Sequence, residues 1–305
     1  MAVGNLLSSI LAVVLLIAVG YFVKRVGLLR VDDRRVVNDI IVYLAMPALV
    51  FRSIASSKLN PSFLKFSALA LVVMAVSMAL AYFLGRLMKL ERKTFGALLL
   101  VAVVGNTGYL GYPLTISLFG RSNLAQAVFF DIFGSVFFVF TVGVVVARRL
   151  GGSDERLNVA RELFTFPPLI GLFAAGLLQG VSLPLFLDRA VEFLAGATVP
   201  LIMLSIGLSI ELNHLLEHRR PLGATVLIKL VAAPLIALVA ARIFGFTPVD
   251  TGISVLEASM PTMMISMVIG LKYGLDVEFM AAAIVGSTLL STVTVPVWQY
   301  LAHLT

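Results

Sequence analysis

Ten apolar runs, each about as long as a helix needs to cross the hydrocarbon core of a bilayer, recur along the 305 residues of this chain. They lie at about 3–23, 36–55, 63–85, 94–118, 124–147, 163–180, 187–210, 222–244, 249–271 and 277–301. The runs are continuous rather than alternating with period two, which favours a helical bundle over an outer-membrane barrel. Composition agrees: 60% of residues are hydrophobic and 13% charged, against about half apolar in a soluble domain. The expected class is an all-α polytopic membrane protein of ten transmembrane helices.

Little chain is left for soluble chemistry. The longest connection, Arg148 to Glu162, is too short and too polar to form a domain, and its Gly-Gly-Ser reads as a flexible turn. There is no cysteine, hence no Cys-based metal or redox site, and no nucleotide motif or nucleophile–base constellation that would mark an enzyme. The formal charge of +7 is not a nucleic-acid footprint, because its distribution follows topology. Sixteen Lys and Arg fall at the connections after runs 1, 3, 5, 7 and 9, against six at the others. By the positive-inside rule the richer connections face the cytoplasm, which places both termini on the other side of a cell (inner) membrane. In run 1 the charges follow the apolar stretch and no small-residue cleavage site succeeds it, so it is read as a retained span rather than a signal peptide.

The chain also repeats. Pro47 in NDIIVYLAMPALVF matches Pro200 in VEFLAGATVPLIML at an offset of 153; Gly85-Arg86 through Gly96 falls on Ala241-Arg242 through Gly252 at 156; and Gly134-Ser135 falls on Gly286-Ser287 at 152. Similar offsets across separate spans suggest two five-span units, roughly 1–150 and 160–305. Five is odd, so two units joined in series cross the membrane in opposite senses, the inverted-repeat plan of secondary transporters.

Two runs in matching positions are interrupted. The fourth carries VGNTGYLGYPL, with Asn106, Thr107, Gly108, Gly111 and Pro113, and the ninth carries LEASMPTMM, with Glu257, Ser259, Pro261 and Thr262. Proline removes a backbone donor and clashes with the preceding turn, while glycine tolerates the angles of a break. Broken backbone at membrane depth must be satisfied by protein or by a water-lined cavity, and each half-helix start favours an anion. Two such breaks meeting near the midplane would make a polar centre for a carboxylate. A plain proline kink accounts well for Pro47, Pro168, Pro200, Pro234 and Pro296, but less well for Asn106 and Glu257.

Asp131 in run 5, Lys229 in run 8 and Glu257 in run 9 are ionisable groups inside spans, where a central charge costs about 2.5–3.5 kcal/mol. Two readings stand. Glu257 would carry a proton or hold a Na⁺ together with Asn106, Thr107, Asp131 and Ser135; or Lys229 would pair with Asp131 or Glu257 as a structural ion pair, or snorkel toward the cytoplasmic face. His214, His218 and His303 lie at run ends and read as solvated. The Met-rich TMMISM after Pro261 reads as adaptable packing.

The stretches NDIIVYLAMPALVF, GNTGYLGYPLTISLFG, IKLVAAPL and EASMPTMMISMVIGLKYGLD followed by GSTLLSTVTVPVW resemble the auxin efflux carrier family in its short bacterial form, with the bile acid sodium symporters as relatives. The resemblance implies a scaffold of spans 1, 2, 6 and 7 and a mobile core of spans 3–5 and 8–10. The broken spans 4 and 9 of that core cross at the substrate site, matched here by Asn106, Pro113 and Pro261. Glu257 resembles the carboxylate that helps to hold sodium in the symporters. The long cytoplasmic loop of the plant carriers is missing between runs 5 and 6. The function expected is therefore an elevator-type carrier of small organic anions such as carboxylates, with Na⁺ or H⁺ as coupling ion and a homodimer through the scaffold. A sodium-coupled symporter of larger amphipathic anions and a non-transporting membrane sensor are the alternatives.

Overall fold

A computed structural model describes residues 15–30, 33–56, 60–152, 165–181, 183–209 and 218–303. The start of run 1, most of the connection after run 5 and His214 lie outside the described residues. Those described form helices and turns, with one isolated backbone bridge. In chain order the helices are α1 (residues 15–25), α2 (Arg35–Ala55), α3 (Phe63–Leu87), α4 (Arg92–Val101), α5 (Tyr112–Phe119), α6 (Arg121–Gly151), α7 (Pro167–Leu177), α8 (Leu185–Ser209), α9 (Arg219–Ile243), α10 (Pro248–Ala258), α11 (Ile265–Tyr273) and α12 (Val277–His303).

Six of these, α2, α3, α6, α8, α9 and α12, are long and apolar enough to cross a membrane, which makes the chain a multi-pass membrane protein. The other four apolar runs do not form single long helices among the described residues. Run 1 is described only from residue 15, run 6 yields the short α7, and runs 4 and 9 are each divided in two. Apolarity marks what enters lipid, whereas helix length depends on where proline, glycine and backbone satisfaction interrupt the hydrogen-bond ladder.

The helices group into two compact units. The first comprises residues 1–61, 112–128 and 160–210, and the second 62–111, 129–159 and 211–305. Within the first, α2 and α8 are tied by an Arg52–Asp188 ion pair and by the Thr198 hydroxyl, which donates to the Ala45 carbonyl at 2.9 Å. Where lipid replaces water there is little hydrophobic force between helices, so close packing and such polar ties hold them together.

Within the second unit, helix starts are capped by local chemistry. Thr247 accepts the Asp250 N–H at 3.1 Å with Pro248 at the first position of α10, and Asp276 accepts the Phe279 N–H at 3.0 Å at the start of α12. Asp276 also accepts the Thr94 hydroxyl at 2.6 Å, joining the starts of α12 and α4.

Several spans contain π-helical stretches, among them Asp131–Val136 in α6 and Leu227–Ala232 in α9. The second is followed by Pro234, which has no N–H to give to the carbonyl of Leu230. That carbonyl accepts the indole N–H of Trp298 in α12 at 2.7 Å instead.

Candidate functional site

The second unit contains the two interruptions. α4 stops at Val101, and after an extended stretch through Gly105 and Asn106 the chain resumes as a π-helical turn, Thr107–Gly111. α10 stops at Ala258, and the chain passes through Ser259, Met260, Pro261 and Thr262 before α11 starts at Ile265. The two extended stretches pair antiparallel: Gly105 bridges Thr262, the Asn106 N–H donates to the Pro261 carbonyl at 2.7 Å, and the Met263 N–H donates to the Val104 carbonyl at 3.0 Å. Each break thus satisfies backbone groups of the other. Buried non-helical backbone in a membrane protein requires such an arrangement.

Thr262 closes the crossover. Its hydroxyl donates to the Val101 carbonyl at 2.7 Å, filling an acceptor left open by the end of α4, and its N–H donates to Ser287 Oγ in α12 at 3.1 Å. Lys229 performs the matching task on the other helix: Nζ donates to the Ala258 carbonyl at 3.0 Å, where the C-terminal dipole of α10 favours a cation. Lys229 is 2% exposed and therefore does not snorkel. Its stem reaches that carbonyl alongside Gly105, where a Cβ would stand 3.0 Å from both Cε and Nζ.

Glu257 is fully buried in the last turn of α10. Its carboxylate lies so close to the backbone of Gly111 that a Cβ there would overlap it. Asp131, also buried, accepts the hydroxyl of Thr107. Ser135 is buried one turn further along the same π-helical stretch, and its Oγ has no hydrogen-bond partner among the described residues. Ser259 turns its hydroxyl back onto the Leu256 carbonyl at 2.8 Å.

The structure therefore gathers Asn106, Thr107 and Gly108 on one break, Ser259, Pro261 and Thr262 on the other, and Glu257, Asp131 and Lys229 within their immediate contacts. Pro113 is buried in α5 and belongs to the first unit. The backbone N–H groups of Asn106 and Thr262 themselves donate to Pro261 and Ser287. Sequence reasoning missed Ser287 as the acceptor for Thr262, although the match of Gly134-Ser135 with Gly286-Ser287 pointed at the position. It also missed Gly105 and Gly111 as the places where a lysine and a glutamate press on backbone.

An all-helical multi-pass chain with two interrupted helices paired at a buried polar centre has the construction of a membrane transporter. Comparison with known proteins agrees. The model of the "Membrane transport protein" family, which includes the auxin efflux carriers, matches residues 5–299, and the chain belongs to that family. An uncharacterized transporter of Methanocaldococcus jannaschii is 32% identical over 304 residues, covering 97% of this chain and 98% of its own. One of Methanothermobacter thermautotrophicus is 30% identical, covering 96% and 97%. A protein of Rhizobium meliloti, named as a candidate malonate transporter, is 30% identical over 277 residues, covering 87% of this chain and 85% of its own. The chain is a transporter of this family and not an enzyme.

Proposed function

We propose that the protein is a secondary carrier of small organic anions, with carboxylates as the substrate class, and that the substrate binds beside the crossover. The observation that carries this reading is the antiparallel pairing of the two breaks, with Glu257, Asp131 and Lys229 buried around it. Buried ionisable groups in a membrane are expensive and mark substrate or ion pathways. With the N–H groups of Asn106, Thr262, Met263, Ser266 and Met267 engaged, the anion takes the first-turn amides of the segment starting at Thr107, the positive end of a half-helix. The amide of Asn106 lies beside them in sequence. The hydroxyls of Ser135, Ser254 and Ser266, buried without a partner among the described residues, supply further polar capacity. The name of the Rhizobium meliloti relative supports a short dicarboxylate.

Transport in this reading is of elevator type, with ten spans in two inverted five-span repeats, a homodimer through the scaffold helices, and both termini outside the cytoplasm of the cell membrane. The grouping of residues 62–111, 129–159 and 211–305 around the crossover supports a separate substrate-bearing core. Glu257 and Asp131 carry the coupling ion, Na⁺ or H⁺.

A thermal-shift screen of malonate and other short carboxylates, with and without sodium, tests the reading, because a ligand of the native state raises its apparent stability. Stabilisation by a short dicarboxylate that disappears in Asn106→Ala supports it. Stabilisation only by large amphipathic anions, and only in sodium, would replace it with the symporter alternative.

A further inference from the structure

Away from the crossover, the turn that joins α3 to α4 borders a cavity of about 440 Å³. Arg86, Lys89 and Arg92 line it with positive charge, and Leu90, Phe95 and Leu150 give it an apolar wall. None of the lining side chains is acidic, and Glu91, next to them in sequence, is exposed. Two of the cations are held in place. The Arg86 guanidinium stacks over the rings of Tyr82 and Phe95, 5.4 and 5.7 Å from their centroids, and Arg92 donates to the carbonyl of Arg149.

The third cation is held at a backbone cost. Lys89 has φ 51°, and it is the one non-glycine residue with positive φ among the described residues. α3 ends with Met88 N–H on the Leu84 carbonyl, Lys89 N–H on Arg86 and Leu90 N–H on Gly85, at 2.9, 3.1 and 3.2 Å. α9 ends with the same three bonds 156 residues later: Phe244 on Ala240, Gly245 on Arg242 and Phe246 on Ala241, at 2.9, 3.1 and 3.0 Å. There the left-handed position is taken by Gly245, φ 66°, the residue this geometry favours. A lysine in the twin position is unfavourable for the turn, so its side chain needs a use elsewhere.

The surroundings say what that use is. α3 is a membrane-crossing helix, and Phe83 and Leu87 in its last turns are 65% and 67% exposed. The cations follow within a few residues, in one of the connections rich in Lys and Arg. Exposed apolar side chains and the cations of the cavity thus neighbour one another in sequence at this helix end. We propose that the cavity binds the headgroup of an anionic phospholipid. Arg86, Lys89 and Arg92 hold its phosphate, Leu90, Phe95 and Leu150 take the glycerol, and an acyl chain runs along Phe83 and Leu87. Basic pockets at membrane helix ends suit this chemistry. A free phosphate shares the charge but leaves the apolar wall unused.

The test uses the full chain, purified in phosphatidylcholine nanodiscs or mixed micelles and titrated with phosphatidylglycerol, with additional phosphatidylcholine and inorganic phosphate as the other arms. Apparent Tm and the lipids retained in native mass spectrometry are read. Phosphatidylglycerol is expected to raise Tm and to be retained in preference to phosphatidylcholine. Each cation removed should weaken its binding about fivefold. The triple variant Arg86→Gln, Lys89→Gln, Arg92→Gln should therefore abolish retention. Lys89→Gly keeps the turn and removes its strain: it is expected to raise the lipid-free Tm while weakening phosphatidylglycerol about fivefold. That single variant keeps the proposal testable if the triple variant fails to fold. Equal retention of the two lipids, unchanged affinity in Lys89→Gly, or a Tm rise reproduced in full by inorganic phosphate would overturn the proposal.

Discussion

The hydroxyl of Thr262 donates to the carbonyl of Val101, closing the end of one interrupted helix with a side chain from the break of the other, 161 residues away. The bond has a direct consequence for mutation. Thr262→Val keeps the volume and the N–H bond to Ser287 but leaves the Val101 carbonyl without its donor. An unsatisfied buried acceptor costs about 1–3 kcal/mol, although hydrogen bonds measured in membrane proteins average about 0.6 kcal/mol. A loss of about 1 kcal/mol in denaturant or thermal unfolding is expected for Thr262→Val, and nearly none for Thr262→Ser. Equal losses in the two would show that the hydroxyl is not what matters.

Gly111 and Glu257 form a second test. Because a Cβ at residue 111 overlaps the Glu257 carboxylate, Gly111→Ala must displace the glutamate or the break, at about 1–3 kcal/mol by analogy with overpacked cores. Transport should fall with stability. Combining it with Glu257→Ala, which makes room, should recover part of the Gly111→Ala loss. A double mutant whose losses simply add would contradict the contact.

Lys229 caps α10 through the Ala258 carbonyl, next in sequence to the buried Glu257. Removing that cap leaves a buried acceptor unsatisfied, at about 1–3 kcal/mol. Lys229→Met is expected to destabilise by about that much or more, and Lys229→Met with Glu257→Gln less, because no carboxylate then stays buried near the lost cation. If the double variant is the worse of the two, Lys229 acts only on the backbone carbonyl.

Much of this site was readable in the residues, for a physical reason: an amide and a carboxylate inside apolar runs, beside Pro and Gly, stand out against the lipid's demand for apolar side chains. Asn106, Glu257, Pro261 and Thr262 were found that way. The role of Lys229 was not, because its partner is a backbone carbonyl that opens only where α10 stops, and carbonyls leave no mark in a sequence. The π-helical stretches holding Asp131, Ser135 and Lys229 were equally invisible, since they differ from α-helix by one residue in hydrogen-bond register. The breaks in runs 4 and 9 were legible because Pro, Gly and polar residues interrupt the apolar pattern there, whereas the shortness of α7 in run 6 was not, since its apolar stretch continues past the helix among the described residues.

Trp298 and Pro234 offer a test of the fold apart from the site. Trp298→Phe removes the donor to the Leu230 carbonyl and should cost about 1 kcal/mol. In a Pro234→Ala background residue 234 regains an N–H for that carbonyl, so the same substitution should cost clearly less. An equal cost in both backgrounds, read from thermal unfolding, would mean that the indole contributes by packing alone.

The most direct test of the account measures uptake of labelled malonate and related short carboxylates into proteoliposomes by the protein and by Asn106→Ala, each first shown to have a similar Tm. The account predicts saturable uptake that falls at least about tenfold in the variant, a change of about 1.4 kcal/mol or more at the site. Undiminished uptake by a folded Asn106→Ala protein would contradict the assignment of the crossover as the place where the anion binds.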